Sequence, residues 1–160
     1  ELAKQSLAKA LQQLKNNKER EGMELAKVLT ARLHDMEVQI KIIKDLSPKT
    51  ILVHREKLLQ RLQELPIDYD EGRFEQELLY LAQKIDVAEE IDRLDIHINE
   101  AKRVLATGGM VGRRLDFLMQ EVNREVNTIA AKAIEPQISL ATIELKVLVE
   151  QIREQSQNLE

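Results

Sequence analysis

An all-α fold is predicted, an elongated helical bundle with a long antiparallel helical hairpin arm, and three observations predict it. Apolar residues recur at three- and four-residue intervals through most of the chain, the spacing that gathers them on one face of a helix. Glycine and proline number only 5 and 3 among 160 residues, too few to punctuate the many short strands of a sandwich or barrel. Aromatic residues, which strands favour, amount to two Tyr and two Phe with no Trp. The length suits one domain or one long helical arm rather than two globular units.

The first helix is expected over about residues 1–16, with Leu7, Leu11 and Leu14 in helical register and Asn16-Asn17-Lys18 at its end. Gly22 marks a break or a weak point, since glycine costs only about 1 kcal/mol inside a helix. From Met23 to Asp45, the residues Ala26, Leu29, Leu33, Met36, Ile40 and Ile43 make one narrow apolar seam, which calls for a partner helix. Ser47-Pro48 reads as a stop and restart, Ser47 as N-cap and Pro48 in the first helical position. Ile51, Leu58, Leu62 and Leu65 carry the next helix to Pro66, so that residues 26–65 form a hairpin.

Beyond it, Asp68-Tyr69-Asp70 introduces a helix bearing Leu78, Leu81 and Ile85, its acids placed where the helix dipole favours them. Asp86 is a point of irregularity, after which Val87, Ile91, Leu94, Ile98, Ala101 and Leu105 run to a stop at Gly108-Gly109. Leu115, Leu118, Val122, Val126 and Ile129 face the core from the following helix. Pro136 opens the last one, with Ile138, Ala141, Leu145, Leu148, Ile152 and Leu159 on one side. Two segments result: 1–66, an oligomerising helical arm, and 67–160, a helical bundle.

Cysteine is absent, which excludes disulfides, thiolate metal sites and a cysteine nucleophile, and leaves His, Asp and Glu as the strong metal ligands. No run of residues reaches the roughly 20 apolar positions of a membrane span, so a soluble protein with no membrane partner is expected, and the absence of cysteine fits a reducing cytoplasm without requiring it. Glu1 in place of Met, with helical periodicity already under way, is what a chain beginning inside a longer protein would show. Charge is divided: residues 1–66 hold 13 Lys and Arg against 9 Asp and Glu, and residues 67–160 hold 11 against 19. A polyanion on the second half would need a bound cation or a basic partner.

Polar residues line the seams. Asp86, Glu90, Arg93 and His97 follow at i, i+4, i+7 and i+11, one stripe at the edge of the Leu94 and Ile98 seam. Carboxylates and an imidazole so placed can help bind a divalent cation or exchange protons, provided a neighbouring helix completes the site. The same spacing is that of an ordinary salt-bridge row with His97 as a hydrogen-bonded flank residue, the commoner use of such stripes. On the next helix Arg114, Glu121 and Glu125 share one flank, and Asp116, Gln120, Asn123 and Asn127 the other. Arg113 and Arg114 sit at a helix start, where the dipole prefers acids. They suit either a phosphate-binding corner or the neutralisation of nearby acidic helices. Gly108 to Gly112 is a connecting turn rather than a phosphate loop, because no strand precedes it and no Gly-Lys-Ser/Thr follows. His34 and His54 read as surface residues.

Several segments together resemble the bacterial YicC endoribonuclease family. They are Arg73-Phe74-Glu75-Gln76-Glu77-Leu78, Leu81 to Glu90, Asp92-Arg93-Leu94 with His97, Val111 to Leu118, Gln120 to Thr128, and the ending from Ile143 to Glu160. The resemblance runs from about residue 20 to the end and is densest over 73–160; Val126 stands where a small residue, Ala or Ser, is usual. It implies an endoribonuclease that cuts RNA internally, requires a divalent cation (Mn²⁺ or Mg²⁺), assembles as a hexamer, and carries a further N-terminal α/β domain. The polar stripes fall on the same residues, so Glu90, His97, Glu121 and Glu125 are expected to gather around the cation, with Asp86 a further candidate ligand and His97, Glu121 and Glu125 catalytic. Arg93, Arg113, Arg114 and Arg124 would hold phosphate. With four aromatics, base stacking contributes little and substrate choice rests on RNA shape and charge. The alternative is a non-catalytic helical module for oligomerisation and RNA clamping, in which these residues scatter instead of converging.

Overall fold

The computed structural model describes residues 2–64 and 69–157, and among these there are five helices and no strand. They are α1 (Leu2–Gln63), α2 (Glu71–Ile85), α3 (Ala88–Thr107), α4 (Gly112–Lys132) and α5 (Pro136–Ser156). The all-α class is as predicted. Helix α1 packs on α3 and α5, and α4 also packs on α3 and α5, so these four close a bundle around one core, with α2 outside against α1. Ion pairs fix the directions. Glu37 with Lys102 and Lys44 with Asp95 set α1 and α3 antiparallel, and Glu90 with Lys132 and Glu100 with Arg114 do the same for α3 and α4.

The middle of α1 supplies its share of the core through the 29–43 seam: Leu29, Leu33, Met36, Ile40 and Ile43 are at most 2% exposed. The partner that so narrow a seam demands is found in α3 and α5 of the same chain. From α3, Ile91, Leu94, Ile98 and Ala101 join it, with Val104 beyond the predicted set. From α4 come Leu115, Leu118, Val122, Val126 and Ile129, together with Met119; from α5, Ile138, Ala141, Leu145, Leu148 and Ile152. Each buried Leu, Ile, Val or Met side chain among them stabilises the fold by about 1.5–3 kcal/mol relative to exposure.

Helix α1 departs most from expectation. It has 62 residues, roughly 93 Å at 1.5 Å per residue, and runs unbroken through Asn16-Asn17, Gly22 and Pro48. The predicted stop and restart at Ser47-Pro48 does not form, and neither does a hairpin within residues 26–63. A proline inside a helix costs about 3 kcal/mol, for a lost N–H and a clash with the carbonyl four residues back. Here Pro48 and Lys44 are exposed, while Ser47 Oγ donates to the Ile43 carbonyl at 2.7 Å and Thr50 Oγ1 to that of Leu46 at 3.1 Å. Burial on both sides of Pro48, from Ile43 to Thr50, outweighs the rest. Antiparallel pairing occurs later, between the end of α1 and α2: Arg55 Nη2 lies 2.7 Å from Glu75 Oε1, and Leu58 shares a cleft with Phe74, Leu78 and Leu81. Leu65, Pro66 and Asp68 lie outside the described residues, as does Leu159.

Two junctions place the polar residues of α3 and α4. At the end of α2 the chain turns extended at Asp86, whose Oδ1 accepts the Ala88 N–H at 3.0 Å, so the predicted irregularity is a full break between two helices. At the end of α3, Gly108 and Gly109 have φ of 70° and 86°, a region that residues with a Cβ adopt at a cost. They reverse the chain and lay α4 against α3. Asp70 caps α2, its Oδ1 accepting the Arg73 N–H at 3.1 Å, and Pro136 stands in the first turn of α5 as predicted.

Candidate functional site

Antiparallel packing of α3 on α4 sets their polar flanks face to face as a ladder. At one end Lys132 donates to Glu90 Oε1 at 2.7 Å and to the Asp86 carbonyl at 2.8 Å, tying the last turn of α4 to the α2–α3 junction. In the next rung Arg93 spans Glu89 on its own helix and Glu125 of α4, the latter at 3.4 Å. Glu125 is only 5% exposed, and a buried carboxylate needs such a partner to stay charged. Glu89 first, then Glu125, hold the Arg93 guanidinium above its ordinary pKa, so it is a permanent cation. Beyond the rung with His97 and Glu121 stands Glu100, engaged by Arg103 and by Arg114 of α4; these arginines hold its carboxyl below the usual glutamate value.

His97 lies one turn beyond Arg93 on α3, and Glu121 one turn before Glu125 on α4. The antiparallel register therefore brings His97 and Glu121 to the same level of the groove. Both are half-buried, and among the described residues neither has a hydrogen-bond or ion-pair partner. They are an imidazole and a carboxylate in a row of otherwise paired charges.

The remaining predicted site residues divide by neighbour. Arg113 and Arg124 are exposed cations on α4 with no carboxylate partner among the described residues. Arg114 pairs with Glu100 of α3. Asp86 is exposed, with its Oδ1 occupied by a backbone N–H. Asp86, Glu90, His97, Glu121 and Glu125 do not gather around one point. Asp86 and His97 are separated by roughly 16 Å along the axis, Glu90 and Glu125 face cations, and no group of three or more His, Asp or Glu able to hold a metal ion occurs among the described residues. One chain's donors thus do not fit a closed cation site. Sequence reasoning missed Lys132 and Glu100, the cross-helix partners. Lys132 stands in the last turn of its helix, where a cation meets both the dipole and a neighbouring acid.

Comparison with known proteins follows the same segments. Residues 43–160 match the family described as endoribonuclease YicC-like, C-terminal. The probable endoribonuclease YicC of Haemophilus influenzae is 48% identical over 141 residues, 88% of this chain and 49% of that protein. Its counterpart in Clostridioides difficile is 37% identical over 159 residues, 98% of this chain and 54% of that protein. The chain therefore spans about half the length of the curated relatives it matches.

Proposed function

The chain belongs to the YicC-like endoribonuclease family, and from that premise we propose that it contributes the α3–α4 groove to an endoribonuclease that cuts RNA phosphodiester bonds internally. Family membership over residues 43–160 is the observation that carries this reading. The groove supplies its chemistry. His97 and Glu121 share a level, free of cationic partners, and can pass a proton to or from the reacting oxygen. Arg113 and Arg124 offer guanidinium donors for phosphate oxygens. Arg93 and Lys132 neutralise Glu125 and Glu90, which lowers the repulsion that buried carboxylates would exert on RNA.

Dependence on Mn²⁺ or Mg²⁺ belongs to the proposal as a shared site. Because the five expected ligands do not converge in one chain, a cation would take donors from a second copy or from a segment outside this chain, with Glu121 and His97 as this chain's contributors. A homo-oligomer, a hexamer in the fullest form of the reading, and a cytoplasmic setting complete it. Among the described residues no helix is long and apolar enough to cross a membrane. A second reading, a non-catalytic module that assembles subunits and clamps RNA, is favoured by one observation: two of the four candidate carboxylates, Glu90 and Glu125, are already paired with Lys132 and Arg93.

The deciding experiment incubates a labelled structured RNA with this chain and with a family-length protein, each with Mn²⁺, Mg²⁺ or EDTA, beside His97→Ala and Glu121→Gln variants. Cleavage lost in both variants, with RNA binding and melting temperature kept, supports the catalytic reading. Undiminished cleavage by His97→Ala removes that residue from the chemistry, and binding without cleavage under every condition favours the clamping module.

A further inference from the structure

Among the described residues, two exposed apolar stripes have no partner. On α1, every residue from Leu2 to Glu21 is exposed, and Leu7, Leu11 and Leu14, at i, i+4 and i+7, are 62%, 57% and 55% exposed. At 100° per residue they lie within about 60° of one another and in line with the Leu29–Ile43 seam, so they continue it past the end of the bundle. On α5, Leu140, Ile143 and Val147, at i, i+3 and i+7, are 62%, 54% and 46% exposed. They lie on the side of α5 opposite Ile138, Ala141, Leu145 and Ile152. A helix apolar on two opposite sides is one that packs on both.

The two stripes differ in charge. Residues 2–20 carry five Lys or Arg against the single carboxylate of Glu19. The α5 stripe is rimmed by the exposed acids Glu144, Glu150 and Glu154; Arg153 pairs with Glu150 and with Asp116, which leaves Glu144 and Glu154 as the rim carboxylates without a cation among the described residues. Spacing and charge thus match an arm to a face. Within one chain they stand apart: α1 is a single helix whose residues 2–20 precede its first buried residue, Leu29, and the α5 stripe lies opposite the α5 side chains buried in the core that α1 helps to form.

We propose that the 2–20 arm of one copy docks on the Leu140–Ile143–Val147 face of a second copy. Apolar side chains interdigitate along the seam, and Lys4, Lys9, Lys15 and Lys18 stand near the glutamates that rim it. One seam of a few turns buries less than the roughly 1,600 Å² of a standard interface. Each copy both donates an arm and receives one, which doubles the area per subunit and allows the assembly to close as a pair or a ring. The inference rests on the homo-oligomer of the proposed function and names its surfaces.

The absence of cysteine makes the test direct. A Leu11→Cys chain and an Ile143→Cys chain are purified separately, mixed, oxidised gently and resolved by non-reducing electrophoresis. Sedimentation of the parent chain is measured beside them. Both positions are exposed, so unchanged melting by circular dichroism is the folding control. The expected result is an oligomeric mass and a mixed disulfide at least about tenfold over either homotypic one. A Leu11→Asp chain loses that mass. Arm-to-arm or α5-to-α5 disulfides at oligomeric mass overturn the docking while leaving the oligomer. Monomeric sedimentation at 100 µM with no crosslink overturns both. Protection of the Leu11→Cys thiol by a 20-nucleotide RNA, without the mixed disulfide, makes the arm an RNA surface and overturns the docking as well.

Discussion

Two stretches of α1 share one helical spacing and meet opposite fates. Leu29, Leu33, Met36, Ile40 and Ile43 are sealed in the core, whereas Leu7, Leu11 and Leu14, on the same side of the same helix, stand in the open. Their ion pairs differ in the same way. The middle of α1 is tied across helices, Glu37 to Lys102 and Lys44 to Asp95 of α3, while Lys15 pairs only with its neighbour Glu19, at 3.9 Å. Periodicity specifies which face of a helix is apolar; whether that face is buried depends on which elements are long enough to cover it. Helices α3 to α5 have 20 or 21 residues, roughly 30 Å, against the 62 of α1. Most of α1 therefore extends past the bundle.

The sharpest way to break this contrast is to truncate the same residue type in both stretches. Leu33→Ala is expected to destabilise the chain by about 2–5 kcal/mol, the loss of burial plus the cavity left behind, read as a shift in urea midpoint. A loss of less than about 1 kcal/mol at Leu33 would mean that the seam is not the core it is taken for.

Next in size is the joint in α1 between the bundle and the turns that meet α2. Pro48→Ala restores an N–H to the Lys44 carbonyl and is expected to stabilise the chain by about 2 kcal/mol, less than the full cost of an interior proline because the unfolded chain also gains freedom. Thermal melting checks it. If Pro48→Ala were destabilising, Pro48 would mark a bend that packing requires, and α1 would be two functional segments after all.

The contrast also shows what was legible in the sequence. The core faces of α3, α4 and α5 were readable because each helix is bounded by its own punctuation, Asp86, Gly108-Gly109 and Pro136, and each apolar stripe is unbroken. Pro48 misled for a physical reason: a local penalty of a few kcal/mol was outweighed by burial of Ile40, Ile43 and Thr50 on neighbouring turns, contacts that appear only in three dimensions. The candidate site was legible by residue type but not by pairing. Arg93 and Glu125 do meet across α3 and α4. That Arg93 would neutralise Glu125, and Lys132 Glu90, depends on the register of α3 against α4, which the loop at Gly108 to Val111 sets and no single-helix pattern encodes.

Acid titration tests the cross-helix ties. Hydrogen bonding to Lys102 is the main cause that holds the Glu37 carboxyl below the ordinary glutamate pKa. Folded chains thus bind that proton less tightly than unfolded ones, so the stabilisation is full above the unfolded value and is lost as pH falls through the folded one. Glu100, held by Arg103 and Arg114, acts in the same sense. Melting temperature is expected to fall between about pH 5 and pH 3, and Lys102→Met should flatten part of that fall. An unchanged slope in Lys102→Met would mean that the Glu37 tie does not persist in solution. Lys15→Met, in the arm, should leave the slope as it is.

The smallest effect is the most informative about the arm. Leu11→Ala removes a side chain that is 57% exposed, and in the separated chain it touches no core residue, so its stability cost should stay within about 0.5 kcal/mol. That near-silence holds only at concentrations where copies do not meet. If the arm docks on a second copy, Leu11→Ala acquires a cost that grows with protein concentration, because association adds to apparent stability by mass action. Melting at 1 µM and at 100 µM separates the cases. Equal melting of the parent and Leu11→Ala chains at both concentrations would leave the arm a solvated extension, whereas a gap that opens at the higher one places Leu11 at a contact between copies.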